Sequence, residues 1–499
     1  MKNSLLLISS ERMNLILRQI IMLGFVACEL AWSTALICAA PGDLDLSFGN
    51  GGKVFLSINQ SPSRVRIQPD GKIVTLGYDY WDDSYSVFSR RNADGSPDMT
   101  FGNRGYVESD PQFGIIFDFV IQPDGKILGV GERFYGQPER FAVFRFNSNG
   151  TPDTGFGTDG VVTPPFNYGP RTAGNGVALQ QDGKIVVRGM ADTFQGGHFL
   201  IVRYHSDGML DTSFGTNGIV DEAAVGLGEE KILVQPDGRL IVSGWRFITR
   251  YNSNGTSDNS FGTDGKVYAD VDNMELQADR KIVVITWANQ LKRFNPDGTV
   301  DASFGVNGFV SITELVPGTA YGASRAFALQ KNGKILVAGS RNGTFAISRY
   351  NSNGTIDTTF GTNGLAITTL GNNSSYNRIS AVTVQPDGNI VAAGYFWPGS
   401  YPGNITLVRY LSDAAAERTI GGRVLTPDGR GLRNAIVSIT DSLGVRRTVT
   451  TSSFGFYSFD DVATGQAYTI AVSSRLYRFA TRAIQVDDNL ANVDFVGLE

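Results

Sequence analysis

Cysteine is nearly missing from this chain: there are two in 499 residues, Cys28 and Cys38, and both fall within the first 40. Without that segment the remainder cannot hold a disulfide, so its stability must come from packing. Histidine is equally scarce, with only His198 and His205. Transition-metal sites and a Ser-His-Asp arrangement therefore have little material, and no metal or cofactor is expected. A strong charge of one sign is also lacking, because 43 Lys and Arg face 48 Asp and Glu for a formal net charge of -5. With no basic stripe, nucleic acid is not an expected partner. Past the N-terminal segment no apolar run is long enough to span a membrane. Glycine, by contrast, is abundant at 60 residues, well above the usual share of about 7%, which points to many tight turns. Hydrophobic residues at 41%, with aromatics at 11%, supply ample core.

Residues 1–40 differ in kind from the rest of the chain. Lys2, Arg12 and Arg18 precede an apolar stretch from Ile20 to Ala40 that ends in small residues, the pattern of an export signal rather than a spanning helix. The expected location is therefore extracytoplasmic, secreted or at the cell surface. Pro41 would hinder cleavage directly after Ala40, which favours a cut after Ala35 or Ala39, and initiation at Met13 would give a more ordinary signal length. Phe25-Val26-Ala27-Cys28 weakly resembles a lipoprotein box, so lipidation of Cys28 stays open.

From residue 41 a repeat of roughly 53 residues takes over. One motif, D-x-x-F-G-x-x-G, places its aromatic at Phe48, Phe101, Phe156, Phe214, Phe261, Phe304 and Phe360. A second, Gln-Pro-Asp-Gly-Lys and its variants, has its third position at Asp70, Asp124, Asp182, Asp237, Asp279, Asn332 and Asp387. Between each such turn and the next Phe-Gly stands an arginine, nearly always followed by Tyr or Phe: Arg90, Arg145, Arg203, Arg250, Arg293, Arg349 and Arg409. Each unit parses into four strands. In the fourth these are a strand opening at Ile219, one near Lys231–Val234, Leu240–Ser243, and Phe247–Tyr251. Pro236-Asp237-Gly238 is a hairpin signal. Runs such as Ile185-Val186-Val187 are continuously apolar, which predicts strands buried on both faces.

Four-stranded sheets covered on both faces and repeated around a ring make a β-propeller, here with seven blades over residues 41–414. A β-solenoid is the rival, but its coils usually have shorter periods. The run Leu44-Asp45-Leu46-Ser47-Phe48-Gly49, the Gln-Pro-Asp-Gly-Lys turns and the Arg-Tyr-Asn-Ser-Asn-Gly-Thr segments resemble the delta-60 repeat family of exported proteins. The resemblance implies a propeller-like fold and no established activity.

The phase of the motifs predicts how the ring closes. In six units the arginine precedes the next motif's aspartate by eight residues, as with Arg90 and Asp98, but the eighth residue after Arg409 is Glu417, with no Phe-Gly behind it. If the Phe-Gly segments pack between blades, the N-terminal copy at Asp45 and Phe48 is expected to fill the gap between blades seven and one, with Arg409 pairing with Asp45. The alternative is that each arginine is a solvated edge residue and each aspartate only an Asx-turn former.

In an up-and-down blade the constant turns, Gln-Pro-Asp-Gly-Lys and the Asn-x-Asn-Gly linkers, share one end of the ring, and the varying insertions share the other. Long aromatic insertions occur in units one, two and seven, which are neighbours in a closed ring. They supply a candidate ligand-binding patch of Tyr78, Tyr80, Trp81, Phe134, Tyr135, Tyr395, Phe396, Trp397 and Tyr401. Flat rings with carboxylates nearby suit a polysaccharide or a surface protein, although such side chains also pack against their own loops.

Signals for catalysis are sparse. Most aspartates recur in every unit, the mark of a structural role, so only Asp79, Asp82, Asp83 and Glu132 remain as candidates for glycoside cleavage. His205 stands where other units have Asn and reads as a turn residue. Linkers such as Asn92–Asp98 place oxygens at alternating positions as calcium loops do, but they lack the terminal Glu, and turn formation explains them better.

Residues 415–499 follow a different pattern, with seven short strands between Ile420 and Val496 that suggest a β-sandwich. Gly422-Arg423-Val424, Gly431-Leu432, Ala435-Ile436-Val437 and Gly455-Phe456-Tyr457-Ser458-Phe459 resemble the carboxypeptidase regulatory-like domain. That resemblance implies a transthyretin-like, Ig-like accessory module without peptidase activity. The expectation for the whole chain is a non-enzymatic extracellular or cell-surface binding or scaffold protein that recognises a glycan or protein at the variable end. The alternatives are an envelope component without a specific ligand and a glycan-active hydrolase.

Overall fold

The computed structural model describes residues 40–498 apart from 57–60, 79–85, 110–113, 134–139, 165–170, 194–195, 225–230, 245, 314, 316–325, 372–376, 400–402, 414–417, 442–445, 463–465 and 487–489. The expected export signal lies outside the described residues. Among the described residues the regular elements are all β, and no helix is long and apolar enough to cross a membrane.

Each Gln-Pro-Asp-Gly turn folds the chain back on itself locally. In the first, Gly71 takes a positive φ of 83° and its N–H donates to the Gln68 carbonyl at 2.9 Å. A side chain at that φ is strained, which explains the glycine. The turn joins the innermost strand of a blade, Ser61–Ile67 in blade 1, to a second, Ile73–Tyr78, and a third, Ser86–Arg91, comes next. The second and third strands are the most enclosed. Ile185, Val186 and Val187 are fully buried, as their unbroken apolar run predicts.

Seven four-stranded sheets form in this way. The sequence parse is right in number but not in phase. The strand after each Phe-Gly is not the first of its own unit; Ile219–Ala224 pairs with Gly196–Tyr204 and is the outer strand of blade 3. The connection that carries Asp and Phe-Gly therefore belongs to the blade before it. The seventh blade takes its outer strand, Lys53–Leu56, from the start of the chain, in antiparallel register with Asn404–Tyr410: Lys53 faces Val408 and Leu56 faces Ile405. Phe48 is then buried among Val65, Ile73, Val391 and Leu407, which belong to blades 1 and 7.

The C-terminal segment forms a sandwich of seven strands. Three make one sheet, in which Arg418–Leu425 pairs with Phe456–Val462 and, in parallel, with Phe495–Val496. Four make the other: Arg446–Thr450, Ile436–Thr440, Gln466–Ser473 and Arg482–Val486. Ile420, Val437, Ile439, Phe459, Ile470 and Phe495 fill the space between them.

Candidate functional site

The two ends of the propeller are built differently, and the contrast separates scaffold from site. At the end carrying the constant turns, every blade repeats one polar cluster. Arg90 Nε donates to Asp98 Oδ2 at 2.8 Å, while Oδ1 of the same carboxylate accepts the Thr100 N–H at 3.0 Å. The aspartate is thus ion-pair partner and Asx-turn former at once, one oxygen for each role. The guanidinium lies 4.4 Å from the Phe101 ring centroid and also donates to the Ser148 carbonyl of the next blade. Burial by itself would raise the Asp98 carboxyl; the hydrogen bonds from Thr100 and the charges of Arg90 and Lys72 outweigh it and bring it down to about 2.

The seventh copy is assembled from the two ends of the repeat region. Arg409 Nε donates to Asp45 Oδ2 at 2.8 Å, and the guanidinium lies over Phe48 at 4.7 Å and bonds the Ala93 carbonyl of blade 1. The copy starts earlier than its Phe-Gly motif reveals. Gly42, at a φ of 88°, occupies the linker-glycine position, and Pro41 accepts the Gly361 N–H of blade 6 at 2.7 Å. Where the chain leaves the propeller the repeat changes again, because Arg349 donates to the carboxylate of Asp413 instead of to a backbone carbonyl.

The connections from second to third strand, and from outer strand to the next blade, leave from the opposite end. Of the aromatic patch, Tyr80, Trp81, Phe134, Tyr135 and Tyr401 lie outside the described residues, as does the side chain of Tyr78. Phe396 requires a correction. It is the last residue of strand Ile390–Phe396 and is buried in the core, with its ring 5.6 Å from that of Phe55, because the strand runs further than the loop-like sequence suggests. Tyr395 is half-buried beside Arg378. Trp397 is held through its backbone: its N–H donates to buried Asn377 at 2.8 Å, and the Asn377 amide donates to the Gly343 carbonyl of blade 6 at 3.0 Å. Trp287, on the short turn of blade 5, is 43% exposed and adds an aromatic that no long insertion marks in the sequence. Among the suggested catalytic carboxylates, Glu132 is buried within blade 2, and Asp79, Asp82 and Asp83 are outside the described residues. His205 forms the turn expected of it, accepting the Gly208 N–H at 3.0 Å.

Between the two ends runs an axial channel of about 610 Å³ lined by all seven innermost strands. Counting back from the glutamine that opens each Gln-Pro-Asp-Gly turn, the residue three before it is buried in the blade core, as Val65, Phe119 and Met274 are, whereas the residue one before it is half-buried and borders the channel in five blades. Those two and four before it line the channel, and they differ from blade to blade. Blades 1 and 2 present Arg66, Arg64, Asp118 and Val120; blade 3 presents Ala178; blades 4 and 5 present Lys231, Leu233, Asn273 and Glu275, with Asp272 beside them; blades 6 and 7 present Ala328, Ala326, Thr383 and Ala381. Arg64 pairs with Asp118 at 3.1 Å, and Lys231 pairs with Glu275 and donates to Asn273 at 3.0 Å. The sequence contained this signal at fixed offsets, but it shows only in what the repeats do not share.

Among the described residues no three His, Cys, Asp or Glu side chains are grouped to hold a metal ion. The chain matches the family described as "Domain of unknown function (DUF5122) beta-propeller" in seven stretches: 68–101, 122–156, 180–214, 235–261, 277–304, 330–360 and 385–414. Residues 419–496 match the carboxypeptidase regulatory-like domain. No curated protein matches the chain. Among solved structures, streptogramin B lyase is 14% identical, covering 72% of this chain and 97% of its own at a TM-score of 0.45. YCF48 bound to a D1 peptide is 10% identical, covering 72% and 96% at 0.41. A Bacteroides caccae protein of unknown function is 11% identical, covering 56% and 94% at 0.35. The chain belongs to the DUF5122 β-propeller family and carries a carboxypeptidase regulatory-like domain at its C terminus.

Proposed function

We propose that this protein is a non-enzymatic extracytoplasmic binding protein that recognises a macromolecule, a glycan or a protein, at the variable end of the propeller, with the axial channel as the deepest part of the site. The observation that carries this reading is the blade-to-blade difference at the channel-lining positions. Charges facing a partly enclosed channel cost desolvation, and blades 6 and 7 fold with alanine and threonine in the same places. The scaffold therefore does not require charge at these positions, and a ligand gives the paired Arg64 and Arg66 a use. The leader-like first 40 residues support export, and the aromatic insertions around Trp81 and Trp397 support a macromolecular partner.

Array binding of the exported protein to polysaccharides and peptides tests the reading. Wild type should retain a defined ligand, and Trp397→Ala, Trp81→Ala and Thr383→Trp, at a half-buried channel-lining position, should each weaken it. Equal binding by all four proteins, or no retained ligand, would overturn it.

A further inference from the structure

We propose that the axial channel binds an oxyanion, a carboxylate or phosphate group, at Arg64 and Arg66. This deepens the binding function proposed above and rests on it. Two guanidiniums converge on one carboxylate oxygen: Arg64 Nε stands 3.1 Å and Arg66 Nη2 3.5 Å from Asp118 Oδ1. The other oxygen of Asp118 accepts the Val177 N–H at 3.4 Å. Asp118 is thereby engaged on both oxygens, and this wall carries one positive charge in excess, although the channel lining as a whole balances Arg64, Arg66 and Lys231 against Asp118, Glu275 and buried Asp272.

The cations are held in place for a ligand. Arg64 Nη1 donates to the Ser63 carbonyl at 2.9 Å, Arg66 Nη1 donates to the Val65 carbonyl at 3.1 Å, and the Arg66 guanidinium lies 5.7 Å from the Phe119 ring centroid. Both still keep 29% and 33% of their side-chain surface exposed. Fixed forks of this kind suit planar or tetrahedral oxyanions. A structural role alone would need one arginine to pair with Asp118; the second adds like-charge repulsion inside a protein-walled space. Lys231 does not compete, since Glu275 and Asn273 already hold it. The channel volume, about 610 Å³, falls in the range of about 300–1,000 Å³ typical of small-ligand sites. The occupant is then a small anion or the anionic end group of a longer chain.

Titration calorimetry on the full exported protein tests this with three probes: glucuronate for a carboxylate, glycerol phosphate for a phosphate, and neutral methyl glucoside. At least one anion should bind, more weakly as salt rises, and its affinity should fall about tenfold or more in Arg66→Gln. Arg66→Lys should recover part of that loss. Arg66→Gln leaves the Arg64–Asp118 pair intact, so an unchanged melting temperature separates loss of the site from loss of the fold. Which anion binds identifies the head group. The inference fails if neither anion binds, or if an anion that binds wild type binds Arg66→Gln equally well. Should methyl glucoside alone bind, and Thr383→Trp abolish it, the channel remains a binding site and the oxyanion assignment falls.

Discussion

Arg409 and Asp45 are 364 residues apart in sequence and 2.8 Å apart in space, both about 8% exposed. Within each of the other six blades the same pair is made at a spacing of eight, so this contact marks where the chain completes its circle. Removing one partner of a buried ion pair leaves an uncompensated charge and costs about 3–5 kcal/mol. Asp45→Ala should lose stability on that scale by denaturant unfolding. Lys72→Ala, which removes a more exposed cation near Asp98, should lose about 1 kcal/mol or less.

Acid should open the ring over a defined interval. Asp98 and Asp357 are each brought down to about 2 from 3.8, and Asp45, Asp153 and Asp258 are lowered as well. In each, burial pushes the carboxyl up but is outweighed by hydrogen bonds and neighbouring cations. Depressed carboxyls stabilise the folded state fully above their unfolded value, and the contribution is lost as pH falls through the folded value. Stability measured against pH should therefore be flat above about 5 and fall steeply between about 4 and 2. Asp98→Asn should flatten part of that fall.

Two neighbouring glycines at the seam should respond in opposite ways. Gly42 has a φ of 88°, and a Cβ there would meet the Gly361 nitrogen at 2.6 Å. Gly42→Ala should cost more than about 1 kcal/mol, the penalty of the left-handed backbone alone. Gly51 has a φ of 59° with nothing within 4 Å of a Cβ, and its counterparts include Asn217, Asn307 and Asn363 at similar φ. Gly51→Asn should be neutral or slightly stabilising in thermal melts.

Asp413 substitutes for a backbone acceptor at the sixth junction. It pairs with Arg349, which has no exposed side-chain surface, and with Lys334 at 2.9 Å. Asp413→Ala should cost about 1.5–3 kcal/mol, as for a lost hydrogen bond to a charged group. The same change at exposed Asp279, whose Lys281 partner stands 4.0 Å away, should cost little.

Seven blades and the closing pair were legible because the repeat imposes one local geometry and its missing eighth copy is a visible gap. Sheet membership was not, since nothing in the repeat marks whether the strand at Ile219 faces forward or back. Asp413 and Gly42 were hidden for a related reason: each performs a repeated task with a residue outside the repeated motif. Phe396 looked like loop because aromatic, glycine and proline residues succeed it, yet strand pairing continues to Asn404 opposite it. The channel was hidden as well, because Arg64, Arg66 and Asp118 occupy strand positions inside the repeat and no long insertion marks them.

The most direct test of the closed ring is a cross-link across its seam. Phe55 and Thr406 face each other in antiparallel register, and such partners lie about 4.5–5.5 Å apart between Cα atoms, within disulfide reach. In a protein with Cys28 and Cys38 changed to Ser, Phe55→Cys and Thr406→Cys should oxidise to one intramolecular disulfide. Its signature is a faster-migrating band on a non-reducing gel that reduction abolishes. Two free thiols persisting in the folded, oxidised protein would contradict closure by the N-terminal strand.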